Sequence, residues 1–564
     1  MSICKRILYP ILCCVLLSGA ASCVKVNYNL GSDIIAESEK FVTRTITIPV
    51  DSVEMRPLEK ISGYSNLRMA IGSIKDQVNG VSRISRRGCA ITLIPLLDTL
   101  DWGKNPEFTA FYLTASKDSL SYAREDQRYI LQNLRVYDMD DLYAPGQQRK
   151  PFTELYSYSS DIRNSMFKNS KTVTNGTPVY SGNGDLELYF NEAFGKKYMG
   201  SGKEKIDSVA QYTTKHPGIY ICTDDPLSDG GRFNFFDIAL DADNSTYQIK
   251  NCFAEIKFRA YFDKPGKIRD TSIVFALGAT AFGNKGTSLA FNTCEQEYDG
   301  TMPYGKAGET IFIEGGTGIK PMIRAEYLRN AIMDKLASEF KAPMEEIFTK
   351  EKLIINRATI VLPFKDNSDT ELWKYYPSVL NPSLRVTIKK TGDVSYGGLT
   401  DASVSDENQG DINYSRRSYR PDVTHHLQQI LATSRDSTEM LDRENIWFLI
   451  LANETIVTDN SQSSANDYYT QMAYLNYYNS MLGGYGGYGG YGGYGGYGGY
   501  GYNNYYNYYM MQALYNSANS GTSTSTTTVL DKDRYYNCYL NGPESADGER
   551  PMMQITYSYM KEEE

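Results

Sequence analysis

Along most of the chain, apolar and polar residues alternate with a period of two. In residues 41–50, Thr43, Thr45 and Thr47 interleave with Arg44, Ile46 and Ile48, which turns one set of side chains toward a core and the other toward solvent. Comparable β-branched or aromatic runs recur at 90–96, 108–114, 131–137, 232–240, 254–262, 272–277, 354–364, 384–389, 446–452 and 553–559, with turn-formers between many of them. Such spacing predicts a mainly β protein of sandwich or jelly-roll character. One helical period interrupts it: Ala325, Leu328, Ile332, Leu336 and Phe340 recur at intervals of three or four. A second, short helix is expected from Asp422 or Thr424 through Leu427 and Ile430, since Asp and Thr cap helix starts well.

A chain of 564 residues exceeds what one core serves. The pattern divides it into an N-terminal β-rich region at 23–250, a sandwich region with the long helix at 251–458, and C-terminal strands at 531–564 that complete the second sandwich. Between these regions lies a segment of another kind. Residues 459–530 hold seventeen of the 47 tyrosines and no Lys or Arg, and include six consecutive Gly-Gly-Tyr units at 483–500. Glycine at two positions in three makes ordering costly, so this segment is expected to be a disordered insertion in a loop between two strands. It reads as a spacer, with many weak aromatic contacts as the alternative.

The first residues change the picture again. Lys5 and Arg6 precede an apolar run from Ile7 to Leu17, and Ser18, Gly19, Ala20, Ala21 and Ser22 lead into Cys23. That order is the layout of an export signal at 1–22. The apolar run falls short of the roughly 20 residues a spanning helix needs. Small residues immediately before a cysteine resemble the bacterial lipobox, which implies cleavage at Cys23, a diacylglycerol thioether and an N-acyl chain, and therefore a stable lipid anchor. No later stretch is long and apolar enough to be expected to cross a bilayer.

Without residues 1–22 the chain loses only Lys5 and Arg6 among its charges, leaving 56 basic residues against 67 acids, a net of −11. That balance repels phosphate, and no basic cluster reverses it, so nucleic acid is not an expected partner. Five further cysteines, Cys89, Cys222, Cys252, Cys294 and Cys538, have no C-x-x-C spacing. They are expected to be small buried side chains rather than a zinc site, with a paired framework as the alternative.

Several phrases in order resemble the domain of unknown function 4270 family of Bacteroidetes lipoproteins. They are Ala70-Ile71-Gly72-Ser73-Ile74-Lys75-Asp76 with Gly80 after it, Asn133-Leu134-Arg135-Val136-Tyr137, Pro217-Gly218-Ile219-Tyr220-Ile221, and the run 254–262 with Asp270-Thr271-Ser272. Thr310-Ile311-Phe312-Ile313-Glu314-Gly315-Gly316, Ile355-Asn356-Arg357-Ala358, Tyr419-Arg420-Pro421-Asp422-Val423-Thr424 and the closing run 555–559 follow. The resemblance implies an outer-membrane lipoprotein of β-sandwich character with no established activity. The phrase at 422–428 also looks like the helix-bearing turn of jelly-roll modules that often bind carbohydrate. One departure is that Val24-Lys25-Val26-Asn27 stands where surface-displayed lipoproteins of this phylum often carry an acidic run.

Catalytic constellations are sparse. Only His216, His425 and His426 are available as neutral-pH proton shuttles, and the adjacent pair lacks the spacing that lets two imidazoles share one zinc. No nucleophile elbow, Walker loop or dinucleotide fingerprint occurs. Asp224, Asp225 and Asp229, or Asp241, Asp243 and Asn244, form acidic turns whose oxygens are candidate calcium ligands, although neither matches an EF-hand. For ligand binding, Trp102 beside Gly103 and Trp373 beside Lys374 are the candidate aromatic platforms, because Trp447 sits in an apolar strand. The expectation is a non-catalytic binding or scaffolding lipoprotein with no cofactor, held at the outer membrane and meeting an envelope protein partner. Glycan binding is the alternative, and a carboxylate-pair glycosidase the second alternative.

Overall fold

The computed structural model describes residues 41–560 apart from connecting segments, of which 143–160, 278–289, 341–352 and 459–522 are the longest. Cys23, the export signal expected at 1–22 and the tyrosine-rich repeat lie outside the described residues. What is described is mainly β, 55% strand and 17% helix, in several sheets that include a curled half-barrel. No helix among the described residues is long and apolar enough to cross a membrane.

Two large apolar cores organise the strands. The first lies between a nine-stranded sheet and a five-stranded one. Ile71 of the Arg68–Val78 strand, Ile91 of Val81–Ile91, Val136 of Gln132–Asp138 and Ile221 of Ile219–Thr223 face Phe111 of Lys104–Ala115, Leu188 of Leu186–Tyr189, Ile256 of Phe253–Phe262 and Phe275 of Lys267–Ala276. Alternation is plain in the Phe253–Phe262 strand: Ala254, Ile256, Phe258, Ala260 and Phe262 are buried, while the residues between them are not. In the second core, the antiparallel sheet formed by Phe41–Pro49, Met552–Met560 and Leu353–Pro363 packs on the seven-stranded sheet containing Ile319–Ile323 and Ile446–Thr458. The helix Ala325–Phe340 fills this core with Leu328, Ile332 and Leu336, at the bounds its periodicity predicts.

The cores do not divide where the chain's pattern suggests, near residue 250. Phe253–Phe262 pairs with Lys104–Ala115 on one side and Lys267–Ala276 on the other, and Ala290–Asp299 pairs with Val81–Ile91, so all three belong to the first unit. Conversely, Phe41–Pro49 and Glu54–Pro57 belong to the second. The chain begins in one unit, builds the other, and returns.

Six α-helices occur among the described residues, against the one or two expected. Asp161–Asn169, Glu192–Tyr198, Val209–Lys215 and Thr438–Arg443 run six to nine residues, too short to show a period. The helix Thr424–Ala432 has an unusual cap. Asp422 accepts the Thr424 N–H at 3.0 Å, while the buried Asp401 accepts the N–H groups of His425 and His426 at 2.6 and 2.9 Å. The free donors of its first turn are thus satisfied in part from 24 residues upstream.

A polar seam joins the two cores. Arg83, near the turn of the hairpin formed by Arg68–Val78 and Val81–Ile91, reaches from the first unit to Glu314 in the second, and both side chains are 1% exposed. Its Nε also donates to Asp76 at 2.7 Å, and Asp76 accepts from the Tyr535 hydroxyl at 2.8 Å. Glu314 is fully used: beyond Arg83 it accepts from the Tyr298 hydroxyl at 2.7 Å and the Ile319 N–H at 2.9 Å. Lys320, wholly buried, donates to the carbonyls of Glu314, Gly316 and Gly318, which matches the three N–H bonds of an ammonium group. Beside the seam, Arg87 lies 4.7 Å from the Phe233 ring centroid and donates to the Cys294 sulfur. Buried charge is tolerated here because every group has partners.

Two glycines shape the hairpin. Its strands meet at Val78 and Val81 across an Asn-Gly pair, and Gly80 takes φ +79°, as a tight two-residue turn demands. Gly72 at φ +145° lets the neighbouring strand approach, since a Cβ there would stand 2.2 Å from the Arg232 carbonyl oxygen.

Candidate functional site

The expected aromatic platforms are interior. Trp102 is fully buried in the first core, its ring 5.2 Å from that of Phe258, and presents no face to a ligand. The reason is local: Trp102 directly follows an exposed-buried-exposed strand, Thr99–Asp101, so the alternation turns it inward, and its backbone N–H is held by the Gly202 carbonyl. Trp373 is half-buried against the second core. Phe364 meets it edge-on with ring centroids 5.7 Å apart, and the Arg417 guanidinium lies 5.3 Å from its ring centroid. Trp447 is buried, as its strand implies.

The acidic turn does not gather for a cation. Asp224 takes a fork from Arg135, with both bonds at 2.8 Å, and Asp225 takes one from Arg86, again with both at 2.8 Å, and a further bond from Arg163. Burial pushes the Asp225 carboxyl up, but Arg86 and Arg163 outweigh it and hold it below the usual range. Among the described residues no group of three potential ligands is placed to hold a metal ion.

The histidines pack. His216 lies between Tyr198 and Tyr212, with ring centroids 4.6 and 4.8 Å away. His426 is buried with Nε2 2.9 Å from the Glu444 carbonyl oxygen, and burial pulls its imidazole down to about 4. It is therefore neutral at pH 7.

What the structure does assemble is an open sheet face. The five-stranded sheet of the first unit turns one face into the core, and its other face carries aromatic and charged side chains in registered rows. In one row Tyr189, Tyr112, Glu255 and Val274 stand side by side on four adjacent strands. Tyr189 is 53% exposed. Its ring lies 5.7 Å from that of Tyr112, and Tyr112 lies 6.2 Å from Phe253 on the next strand. The Tyr112 hydroxyl donates to Glu255; burial and this bond to a carboxylate push its phenol up. Lys257 sits 3.4 Å from Glu255 and 5.0 Å from the Tyr112 ring centroid.

Further along, Arg259 lies between Glu107 and Asp270 and forks onto Asp270 at 3.0 and 3.3 Å, which holds the Asp270 carboxyl below the usual range. The last row sets Tyr261 between Lys104 and Ile268, with the Lys104 ammonium 6.0 Å from the Tyr261 ring centroid. Tyr261 and Ile268 are 39% and 67% exposed. From Phe253 to Tyr261 the face runs about 27 Å at ~3.4 Å per residue.

Sequence reasoning missed Tyr112, Tyr189, Phe253 and Tyr261. Their alternation is visible in 253–262, but aromatics occupy both faces of that strand, with Phe258 and Phe262 inside and Phe253 and Tyr261 outside. Which set is covered depends on the sheet opposite, which local spacing does not reveal. Searches against protein-family models, curated proteins and solved structures return no match for this chain.

Proposed function

We propose that this is an outer-membrane lipoprotein, acylated at Cys23, that acts as a non-catalytic binding component of the cell envelope and works through the open face of its five-stranded sheet. Membership of the lipoprotein family that its ordered phrases resemble is part of this reading. The observation that carries it is the face itself: exposed rings and paired charges on a rigid sheet backed by a packed core. Such a surface presents fixed contact groups without any loop rearrangement. Its carboxylates at Glu255 and Asp270 are engaged by Tyr112, Lys257 and Arg259 rather than facing each other across a cleft, which favours holding a ligand over cleaving one.

The test has two parts, run on the full chain in a diderm host. Cys23→Ser should lose acyl label and leave the membrane fraction, and a photo-crosslinking residue at Tyr189 should yield an envelope adduct in intact cells, whereas one at Trp102 should not. An unlabelled protein that stays with membranes as before, or a Tyr189 probe that captures nothing, would sink the proposal.

A further inference from the structure

From the geometry of the open face we infer that its ligand is a neutral polysaccharide lying along the Phe253–Phe262 strand, stacked on Tyr189 and Tyr112 at one end and on Tyr261 at the other. This inference rests on the binding role proposed above and names the chemical class of what is bound.

The first argument concerns charge. Glu107, Glu187, Glu255 and Asp270 are set against Lys104, Lys257 and Arg259 on the same face, with the signs interspersed. Much of this charge is already engaged, Lys257 with Glu255 and Arg259 with Asp270. No patch of one sign is left to steer a phosphate polymer, an acidic glycan or a basic peptide. An uncharged partner loses nothing by this arrangement.

The second argument concerns what lies between the rings. The centres of protein–protein interfaces are depleted of charge and rich in apolar contact. Here the centre is Glu255, Lys257 and Arg259, and the apolar groups are split between the two ends. That order suits a chain of hydroxyl-bearing rings. Its apolar C–H faces can lie on tyrosine, while its hydroxyls exchange hydrogen bonds with carboxylate, ammonium and guanidinium groups, which serve as acceptors and donors without being unpaired from one another. Separation of the rings by about 20 Å, six residues from Glu255 in the Tyr112 row to Tyr261, asks for an extended polymer rather than a single sugar.

The third argument is rigidity. Tyr112 is fixed by its bond to Glu255 and by Lys257 over its ring, so the platform is oriented before the ligand arrives.

The experiment uses the mature, soluble Cys23→Ser chain in affinity electrophoresis through gels containing a neutral glucan, a neutral mannan or a neutral galactan, with heparin as the anionic control. The expected result is retardation by at least one neutral polymer, insensitive to 0.5 M NaCl (~4 Å Debye length) and weakened about tenfold (~1.4 kcal/mol) by Tyr189→Ala or Tyr261→Ala. Tyr112→Phe, which keeps the ring, should retain most of it. Circular dichroism and the unfolding midpoint verify that each variant is folded. Retardation by heparin alone, by no polymer, or undiminished from the parent in both Tyr189→Ala and Tyr261→Ala would overturn the inference. A protein adduct at Tyr189 in the crosslinking experiment, together with no retardation, would overturn the saccharide and leave the binding role standing.

Discussion

Arginine–carboxylate pairs occur in two settings in this protein, and the contrast shows what each is for. At the seam between the cores, Arg83 and Glu314 are both 1% exposed; Arg83 also donates to Asp76, and Glu314 accepts from the Tyr298 hydroxyl and the Ile319 N–H. On the open face, Arg259 forks onto Asp270 in water, at 56% and 72% side-chain exposure. A buried pair is costly to desolvate and severe to break, whereas an exposed pair contributes little and exchanges partners readily. The seam can therefore fix how the two units register on one another, and the face is left free to trade its bonds with a ligand.

The sharpest way to break this contrast is at the seam. Glu314→Ala leaves the buried Arg83 guanidinium with Asp76 alone, strips the Tyr298 hydroxyl and the Ile319 N–H of their carboxylate acceptor, and should destabilise the fold by about 3–5 kcal/mol in urea denaturation. Replacing both partners, Arg83→Met with Glu314→Leu, should cost less than Glu314→Ala alone, because the charge that then loses its guanidinium, Asp76, is partly exposed and keeps the Tyr535 hydroxyl. If the double replacement proves worse than the single one, the pair itself, and not the orphaned charge, carries the stability. Trp102→Ala should cost a similar amount, about 3–5 kcal/mol, by opening a cavity beside Phe258, and should leave polysaccharide retardation unchanged in the folded fraction.

The two settings also differ in how far the sequence discloses them. Strands that alternate were legible: Phe41–Pro49, Phe253–Phe262, Leu353–Pro363 and Met552–Met560 all begin within a residue of where their pattern places them. The seam strands were not. Val81–Ile91 is central to its sheet, yet it buries Arg83, Arg86 and Arg87, so its pattern reads as polar. Those burials are permitted only by partners such as Glu314 and Asp225, which lie more than 130 residues away in the chain. Ala290–Asp299 hides for the same reason, as it carries Glu295 and Glu297 to Arg86. For the site, composition pointed to tryptophan because the indole is the largest platform. Its size is also what draws it into cores, and the exposed rings are tyrosines.

A smaller effect comes from His426, whose buried imidazole titrates near 4 against 6.5 when free. The folded state binds fewer protons than the unfolded state between those values, so stability is complete above pH 6.5 and falls as pH drops toward 4. The full loss is about 3 kcal/mol, from roughly 1.4 kcal/mol per pH unit. Neighbouring Glu444, whose carboxyl burial raises, acts with the opposite sign and softens the decline. His426→Gln should flatten the acid limb of the stability profile between pH 6.5 and 4.5. An unchanged limb would show that His426 does not carry it.

The smallest expected effect is the one that most sharpens the comparison. Asp270→Asn removes the charge of a carboxylate that stands in solvent, and the unfolding midpoint should stay within error of the parent at low and high salt alike. The same is expected of Tyr189→Ala, whose ring is half exposed and packs mainly on Tyr112. A surface that tolerates such changes without loss of fold contributes little to its own unit's stability, so its ordered rows of rings and charges call for another cause. If either variant shifted the midpoint as far as Glu314→Ala does, the face would be structural, and the division between a seam that holds the units and a face that holds a ligand would fail.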